Sequence, residues 1–411
     1  MRLFSHCRSV IRSLCCLLIC SLPVSLNNAI ASDTPRQILI GYSGPLSGIS
    51  EEFGKSLANA AEMALTDINR QMPRIAGHAV QFRLLRHDDR NDPDTAVRVA
   101  RKLLDAGVVA VIGTANSATS HAVASLYENA GIPLISPAAS ATALTRPGLR
   151  GFFRLVGNDD DASAYLVEHA IVRMRIDRFA VIDDGGLFGQ ELARAVASQI
   201  ERREAQVVMR VAIDFTDDLD ELVRLARLNG AQALFFGGTS AQAAMLARAI
   251  AREGDGLRLL MASNGGMGTT FLIPAQGAAN GTVAIESGLP LSLLPGGTLL
   301  EERYHSRYGL YFSGLAPFSY DTAHLLVAAM RQAGSTEPQQ LLDMLYRMRY
   351  RGLTGAIAFD ANGDVLKPVF TIYEVRNQRW VPLRIIGDRA ALPTDIRRLT
   401  RALDEGGRRQ Q

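Results

Sequence analysis

Beyond residue 20 this chain has no cysteine: Cys7, Cys15, Cys16 and Cys20 are all that it contains. No disulfide can brace the rest of the molecule. Lysine is nearly as scarce, with Lys55, Lys102 and Lys367 the three present, and none follows the glycine spacing of a phosphate-binding loop. The histidines beyond the leader, His78, His87, His121, His169, His305 and His324, show no metal-ligand spacing. Charge of one sign is also missing. The formal +3 is carried by Arg2, Arg8 and Arg12, so basic and acidic residues balance after residue 31. With no basic stripe interleaved with aromatics, nothing points to nucleic acid. Long apolar runs are absent too. The one candidate, Leu14 to Leu26, is interrupted by Pro23 and ends at Asn27-Asn28. It stops short of the roughly 20 apolar residues a membrane span needs.

The first residues have the form of an export signal. Arginines precede the apolar core, which runs to Ala29-Ile30-Ala31, a small-x-small cleavage pattern. We expect a cleaved signal peptide over residues 1–31. A retained anchor and a lipoprotein are the alternatives, the latter because Cys20 follows Leu17-Leu18-Ile19, although Ile19 is bulky where a small residue is needed. Export without disulfides points to a bacterial periplasm. The remaining chain, about 380 residues, exceeds one ordinary hydrophobic core, so two domains are expected.

The pattern after residue 36 is strand, then helix, repeated. Ile38-Leu39-Ile40, Val80 to Leu85, Val108 to Ile112 and Ile132 to Ile135 read as strands. Between them, Phe53 to Asn69 and a segment opened by Pro93 and stopped at Gly107 read as helices, and a third runs through Ala122, Leu126 and Ala130. A second series follows, with strands at Phe179–Ile182, Gln206–Val211, Ala233–Phe236 and Leu257–Met261 and helices between them. Three helices come later, over 301–308, 320–331 and 338–349, with strands at 357–359 and 369–375; residues 386–411 read as a surface helix or tail. Such alternation predicts an α/β fold with parallel sheets covered on both faces. No low-complexity linker separates the series, so several chain crossings are expected to join the domains.

Five motifs in order carry a resemblance. They are Gly41-Tyr42-Ser43-Gly44-Pro45-Leu46-Ser47-Gly48; Asp88-Asp89 with Asn91-Asp92-Pro93; and Val111-Ile112-Gly113 with Ser117, Gly131-Ile132-Pro133 and Ser136-Pro137-Ala138-Ala139-Ser140. Phe188-Gly189 and Leu353-Thr354-Gly355 with Phe359 to Asp364 complete the set. Together they resemble the periplasmic solute-binding proteins that serve ABC importers for branched-chain amino acids. That resemblance implies a type I periplasmic-binding-protein fold, two Rossmann-like lobes with parallel sheets joined by three hinge crossings. The lobes would be 36–154 with 287–367 and 155–286 with 368–385. It further implies a monomer without cofactor or metal that captures a small carboxylate-bearing ligand, an amino acid or a related amide or acid, and hands it to an inner-membrane permease. An extracytoplasmic sensor that presents the closed form to a membrane receptor is the alternative.

Ser117 and the Ala138, Ala139, Ser140 stretch each follow a strand and precede a helical pattern. Helix N-termini expose N–H groups that favour anions. By the resemblance these residues hold a ligand carboxylate, with Asn116 flanking them; without it, Ser117 and Ser140 read as helix caps. Phe188 and Phe53 are the aromatic candidates for closing over the ligand. On the ammonium side the chain departs from the family. Asn264 stands where an acidic residue is expected and Thr239 where a tyrosine is. Either the ligand lacks an α-ammonium, or Asp183, Asp184 or Glu286 supplies the charge. An enzyme reading finds little support: Gly185-Gly186 and Gly237-Gly238 do not continue into a nucleotide fingerprint, and Ser117 with His121 is a weak dyad.

Overall fold

A computed structural model describes residues 34–145, 148–214, 218–254, 256–262, 267 and 269–387. The expected signal peptide, Asn264 and nearly all of the C-terminal tail lie outside them. The chain begins β1 (Arg36–Gly44), α1 (Glu51–Arg70), β2 (Arg74–Ile75), β3 (His78–Asp88), α2 (Pro93–Asp105), β4 (Ala110–Gly113), α3 (Ser117–Asn129), β5 (Leu134–Ser136) and β6 (Phe152–Arg154). It continues through α4 (Asp159–Val172), β7 (Arg178–Asp183), α5 (Leu187–Arg202), β8 (Gln206–Ala212), α6 (Leu219–Leu228), β9 (Ala233–Gly237), α7 (Ser240–Arg252), β10 (Arg258–Ala262), α8 (Thr269–Leu272) and β11 (Val283–Ser287). Helices α9 (Gly297–Tyr308), α10 (Ala316–Ala333) and α11 (Pro338–Arg347) follow, then β12 (Tyr350–Arg351), β13 (Ala356–Ile357), β14 (Phe370–Arg376) and β15 (Arg379–Ile386).

Two large sheets result, ordered β2-β3-β1-β4-β5-β6 and β15-β14-β11-β10-β9-β7-β8, and β12 pairs with β13 in a small antiparallel one. The central strands of the large sheets are parallel, with Ile38 opposite Phe82, Tyr42 opposite Ile112 and Val181 opposite Phe235. Because helices cover both faces, strands such as β4 and β9 are near-continuous apolar runs. In the first sheet one face packs on α1, α10 and α11 through Leu57, Ala61, Leu326 and Leu341, and the other on α2 and α3 through Val99, Leu103 and Val123. In the second sheet Leu166, Val196 and Ile200 fill one face and Val223, Leu246 and Phe271 the other. Each such Val, Leu, Ile or Phe side chain contributes roughly 1.5–3 kcal/mol when fully buried. The two-lobed α/β architecture expected from the repeating pattern is therefore present.

Several local signals work as chemistry requires. Asp92 caps α2, its carboxylate accepting the Thr95 N–H at 2.7 Å, and Pro93 takes the first helical position. Gly107 follows that helix at φ 75°.

The differences also have physical reasons. The sheets are not wholly parallel: β14 and β15 run antiparallel at one edge and β2 at another. Strand β14 re-enters the second sheet from the first-lobe segment, so it arrives from the opposite end. Strand β15 went unseen in the sequence because its turn, Asn377-Gln378, lacks the usual glycine, although both residues take the positive φ of a tight hairpin, 50° and 59°. That strand extends to Ile386, one residue into the segment read as a tail. Ser140 precedes only a short 3₁₀ turn, Thr142–Thr145, rather than a helix, and Ser117 is the first residue of α3 while Asn116 is its cap.

The chain passes between the lobes after β6, after β11 and before β14. These passages are tied together. Gly157 N–H donates to Ser287 Oγ at 3.2 Å, Gly288 N–H to Val369 O at 2.6 Å, and Thr371 Oγ1 to Gly288 O at 2.6 Å. Among the described residues, no helix is long and apolar enough to cross a membrane.

Candidate functional site

Each sheet reverses its strand order once, between β1 and β4 in the first and between β7 and β9 in the second. Loops leaving neighbouring strands diverge there and open a crevice at the carboxyl ends. A cavity of about 320 Å³ lies at both crevices at once. The first lobe lines it with Ile49, Ser50 and Phe53 after β1 and Ala115 to Ala118 after β4; the second lines it with Asp184 to Phe188 after β7 and Gly238 to Ala241 after β9, excepting Gly185. Asn91, Ala138, Gly189, Ala262 and Thr270 complete the wall.

Four helices, α1, α3, α5 and α7, begin at this cavity, so their positive ends converge on it. They are capped differently. Asn116 Oδ1 accepts the Thr119 N–H at 2.8 Å. At α7 a full capping box closes the end: Gln242 Oε1 accepts the Thr239 N–H at 2.9 Å and the Thr239 hydroxyl at 2.7 Å. Ser50 and Gly186 make no side-chain cap.

The α3 end is prepared for an anion. Ser117 is buried, and its Oγ accepts the Ala141 N–H at 3.2 Å. As the acceptor in that bond, the hydroxyl keeps its own proton as a donor at a position that lines the cavity. The first turn also leaves the Ser117 and Ala118 N–H groups without intrahelical acceptors. Ser136 holds the next strand end in place, its Oγ donating to Thr114 O at 2.8 Å and accepting the Ala139 N–H at 2.8 Å. Behind this wall the fully buried Arg154 donates to Ala141 O at 2.8 Å and pairs with Asp364 at 2.5 Å. Asp89, buried, accepts the Ser43 hydroxyl at 2.9 Å and the Asn91 N–H at 2.9 Å, which fixes Asn91 beside Asn116. Burial pushes the Asp89 carboxyl up to about 6.

Of the residues proposed from sequence, Ser117, Asn116, Ala138, Phe53, Phe188 and Thr239 meet around this one cavity. Ala139 and Ser140 do not line it. Ala139 commits its N–H to Ser136, and Ser140 hydrogen-bonds the buried Asp159, whose carboxyl burial pushes up to about 6. Asp183 and Glu286, weighed as charge donors, are buried away from the cavity, whereas Asp184 forms part of its wall. Sequence reasoning missed Ile49, Leu187 and Thr270. The first two are exposed apolar side chains at the mouth, a signal that burial patterns cannot reveal. His121, one turn after Ser117, is exposed and forms no dyad with it. Among the described residues, no group of three His, Cys, Asp or Glu side chains could hold a metal ion.

Comparison with known proteins agrees with this architecture. A family model described as "Periplasmic binding protein" matches residues 37–379. An "Amino acid binding protein" of Pseudomonas aeruginosa is 28% identical over 362 residues, 87% of this chain and 95% of that protein. A leucine-, isoleucine-, valine-, threonine- and alanine-binding protein of the same organism is 25% identical, over 84% of this chain and 91% of its own. Among solved structures, a leucine-binding protein from Thermotoga maritima superposes with a TM-score of 0.77 at 21% identity, covering 86% of this chain and 99% of that one. A solute-binding protein from Rhodopseudomonas palustris, solved with 3,4-dihydroxybenzoic acid, superposes with a TM-score of 0.72 at 18% identity, covering 87% and 98%. Identities this low show a shared fold and leave the ligand open. With a family match across most of its length and a cavity at the paired switch points, the chain belongs to the periplasmic binding protein family.

Proposed function

We propose that this protein captures a small carboxylate-bearing ligand, an amino acid or a close acid or amide relative, between its lobes and delivers it to an ABC importer in the inner membrane. The observation that carries the reading is the α3 end, where the Ser117 hydroxyl and the Ser117 and Ala118 N–H groups border a cavity that also touches the second lobe. In this reading the lobes, 36–154 with 287–367 and 155–286 with 368–385, close on the ligand because only the closed form makes both sets of contacts. Phe53 and Phe188 would cover its apolar part. Ala139 and Ser140 would support the wall from behind. The relatives named for amino-acid binding support this ligand class, and the cavity volume suits it.

A thermal-shift screen over amino acids, their deaminated analogues, short amides and aromatic acids should raise the melting temperature with one carboxylate series. Ser117→Ala should then weaken that ligand by about 1–3 kcal/mol and spare its neutral amide. Equal loss for acid and amide would assign Ser117 to structure alone and overturn the reading of this wall.

A further inference from the structure

A second cavity, of about 390 Å³, opens on the first lobe between the end of β3 and helix α2. It shares no lining residue with the interlobe cavity. Its ionisable lining is mostly basic. His87 and Arg90 come from the end of β3 and the turn after it, Arg98 and Lys102 from α2. The last two are four positions apart, so they stand one above the other on the same helix face. One acid, Asp88, joins them, and it is already engaged. Its Oδ1 accepts the Leu46 N–H at 2.8 Å and the Arg90 N–H at 2.9 Å, and its Oδ2 accepts the Ser47 hydroxyl at 2.5 Å. The Arg90 guanidinium comes no nearer to it than 3.9 Å. Asp92 lies near Arg98, yet its carboxylate is spent on the Thr95 N–H and hydroxyl. Arg98 donates to the Thr95 hydroxyl at 2.7 Å, and Lys102 forms no ion pair among the described residues. Elsewhere on this lobe cations find acids, as Arg86 does with Glu62 and Arg303 with Asp67.

Like charges gathered around a hollow repel one another, and a bound anion relieves that repulsion. Three permanent cations face one carboxylate here, an excess that suits a dianion better than a single negative charge. Guanidinium groups present paired N–H donors that match phosphate oxygens. Burial and the Lys102 charge hold the His87 ring below its ordinary value, so at neutral pH it is uncharged and has one N–H to donate. The volume falls in the range of about 300–1,000 Å³ usual for small-molecule sites, which leaves room for more than a lone phosphate ion. We propose that this cavity is a second binding site, taking the phosphate groups of a diphosphate or a phosphate monoester through Arg90, Arg98 and Lys102, with His87 as a neutral donor. The site stands independently of the ligand reading of the interlobe cavity. A soluble anion and a lipid headgroup share this chemistry, and the two are separated by experiment.

The test has two arms: calorimetric titration of the purified protein with inorganic pyrophosphate at low salt, and co-sedimentation with phosphatidylcholine vesicles that contain phosphatidic acid. Wild-type protein should bind one equivalent of pyrophosphate, and the affinity should fall as salt is added. Arg98→Gln and Lys102→Gln should each weaken binding about 10-fold, the loss of one charge-assisted contact. Arg101→Gln is the control. It removes the same charge from the same helix at an exposed position outside the cavity, and should change affinity less than about threefold. All three side chains are exposed, so the variants should fold as the wild type does. In NMR spectra the His87 ring signals should move during the titration, while those of the exposed His121 and His305 stay. This pattern with pyrophosphate upholds the site for a soluble anion; the same pattern with vesicles alone upholds it for a headgroup. Equal losses in Arg101→Gln and Lys102→Gln would reduce the effect to general surface charge and overturn the proposal. Binding that leaves His87 unmoved, or no binding in either arm, would overturn it as well.

Discussion

The two walls of the cavity solve the same problem by different means. On the first lobe, helix α3 keeps donors in reserve: Asn116 caps one N–H group, and Ser117 is turned by Ala141 so that its proton stays available. On the second lobe, α7 is closed by its own Thr239–Gln242 box, and the β7–α5 loop adds a carboxylate. The supports differ as well. An ionic scaffold, Arg154 with Asp364, stands behind the first wall, whereas backbone contacts through Gly189 and Gly237 hold the second. A helix end that keeps N–H groups open toward a cavity favours an anion; one satisfied by its own capping box is architecture.

Removing the scaffold tests the first wall most severely. Asp364→Ala removes the carboxylate paired directly with the buried Arg154 guanidinium, and should cost about 3–5 kcal/mol in urea denaturation. A loss below about 1 kcal/mol would show that the bonds Arg154 donates to Ala141 O and Thr145 Oγ1 suffice by themselves.

Asp159 offers an effect of opposite sign. Burial raises its carboxyl from the ordinary value to about 6, with Ser140 and Arg154 opposing the rise. Between pH 4 and 6 the folded state therefore holds more protons than the unfolded chain, so this group's contribution to stability falls as pH rises through that window. Asp159→Asn should gain up to about 2–3 kcal/mol at pH 7 and flatten part of the pH dependence. Asp89, shifted to the same value on another loop, should keep its share of the slope in that variant. A variant no more stable than wild type at pH 7 would show that Asp159 gains compensating partners when charged.

The smallest effect concerns the second wall. Thr239→Ala removes a cap and should cost about 1 kcal/mol of stability. Because that hydroxyl is already bound to Gln242, ligand affinity should stay within threefold. A large affinity loss with little change in melting temperature would make Thr239 a ligand contact and erase the contrast between the walls.

Much of this was legible in advance because helix and strand periodicity depends on which side chains must leave water. Helix α6 spans Leu219–Leu228, the bounds its apolar spacing suggests, and Pro93 opens α2. The motif residues after β1, β4 and β7 indicated the cavity, since loops at the carboxyl ends of parallel strands have nowhere else to go. Ser140 was harder to place. Its hydroxyl serves Asp159, a partner nineteen positions on that approaches only after the chain has passed from one lobe to the other. Asp184 was one of three carboxylates on equal terms until burial removed Asp183 and Glu286 from the cavity.

The sequence by itself determined the α/β alternation, the absence of disulfide support and the positions of the glycine-rich strand-to-helix turns, because these follow from local sterics and from apolar spacing along one chain. Only the tertiary structure decided which turns face each other, which hydroxyls are spent on the protein's own N–H groups and which carboxylate lines the cavity. Those outcomes depend on distances between residues far apart in sequence, and no local pattern encodes a distance across a cleft.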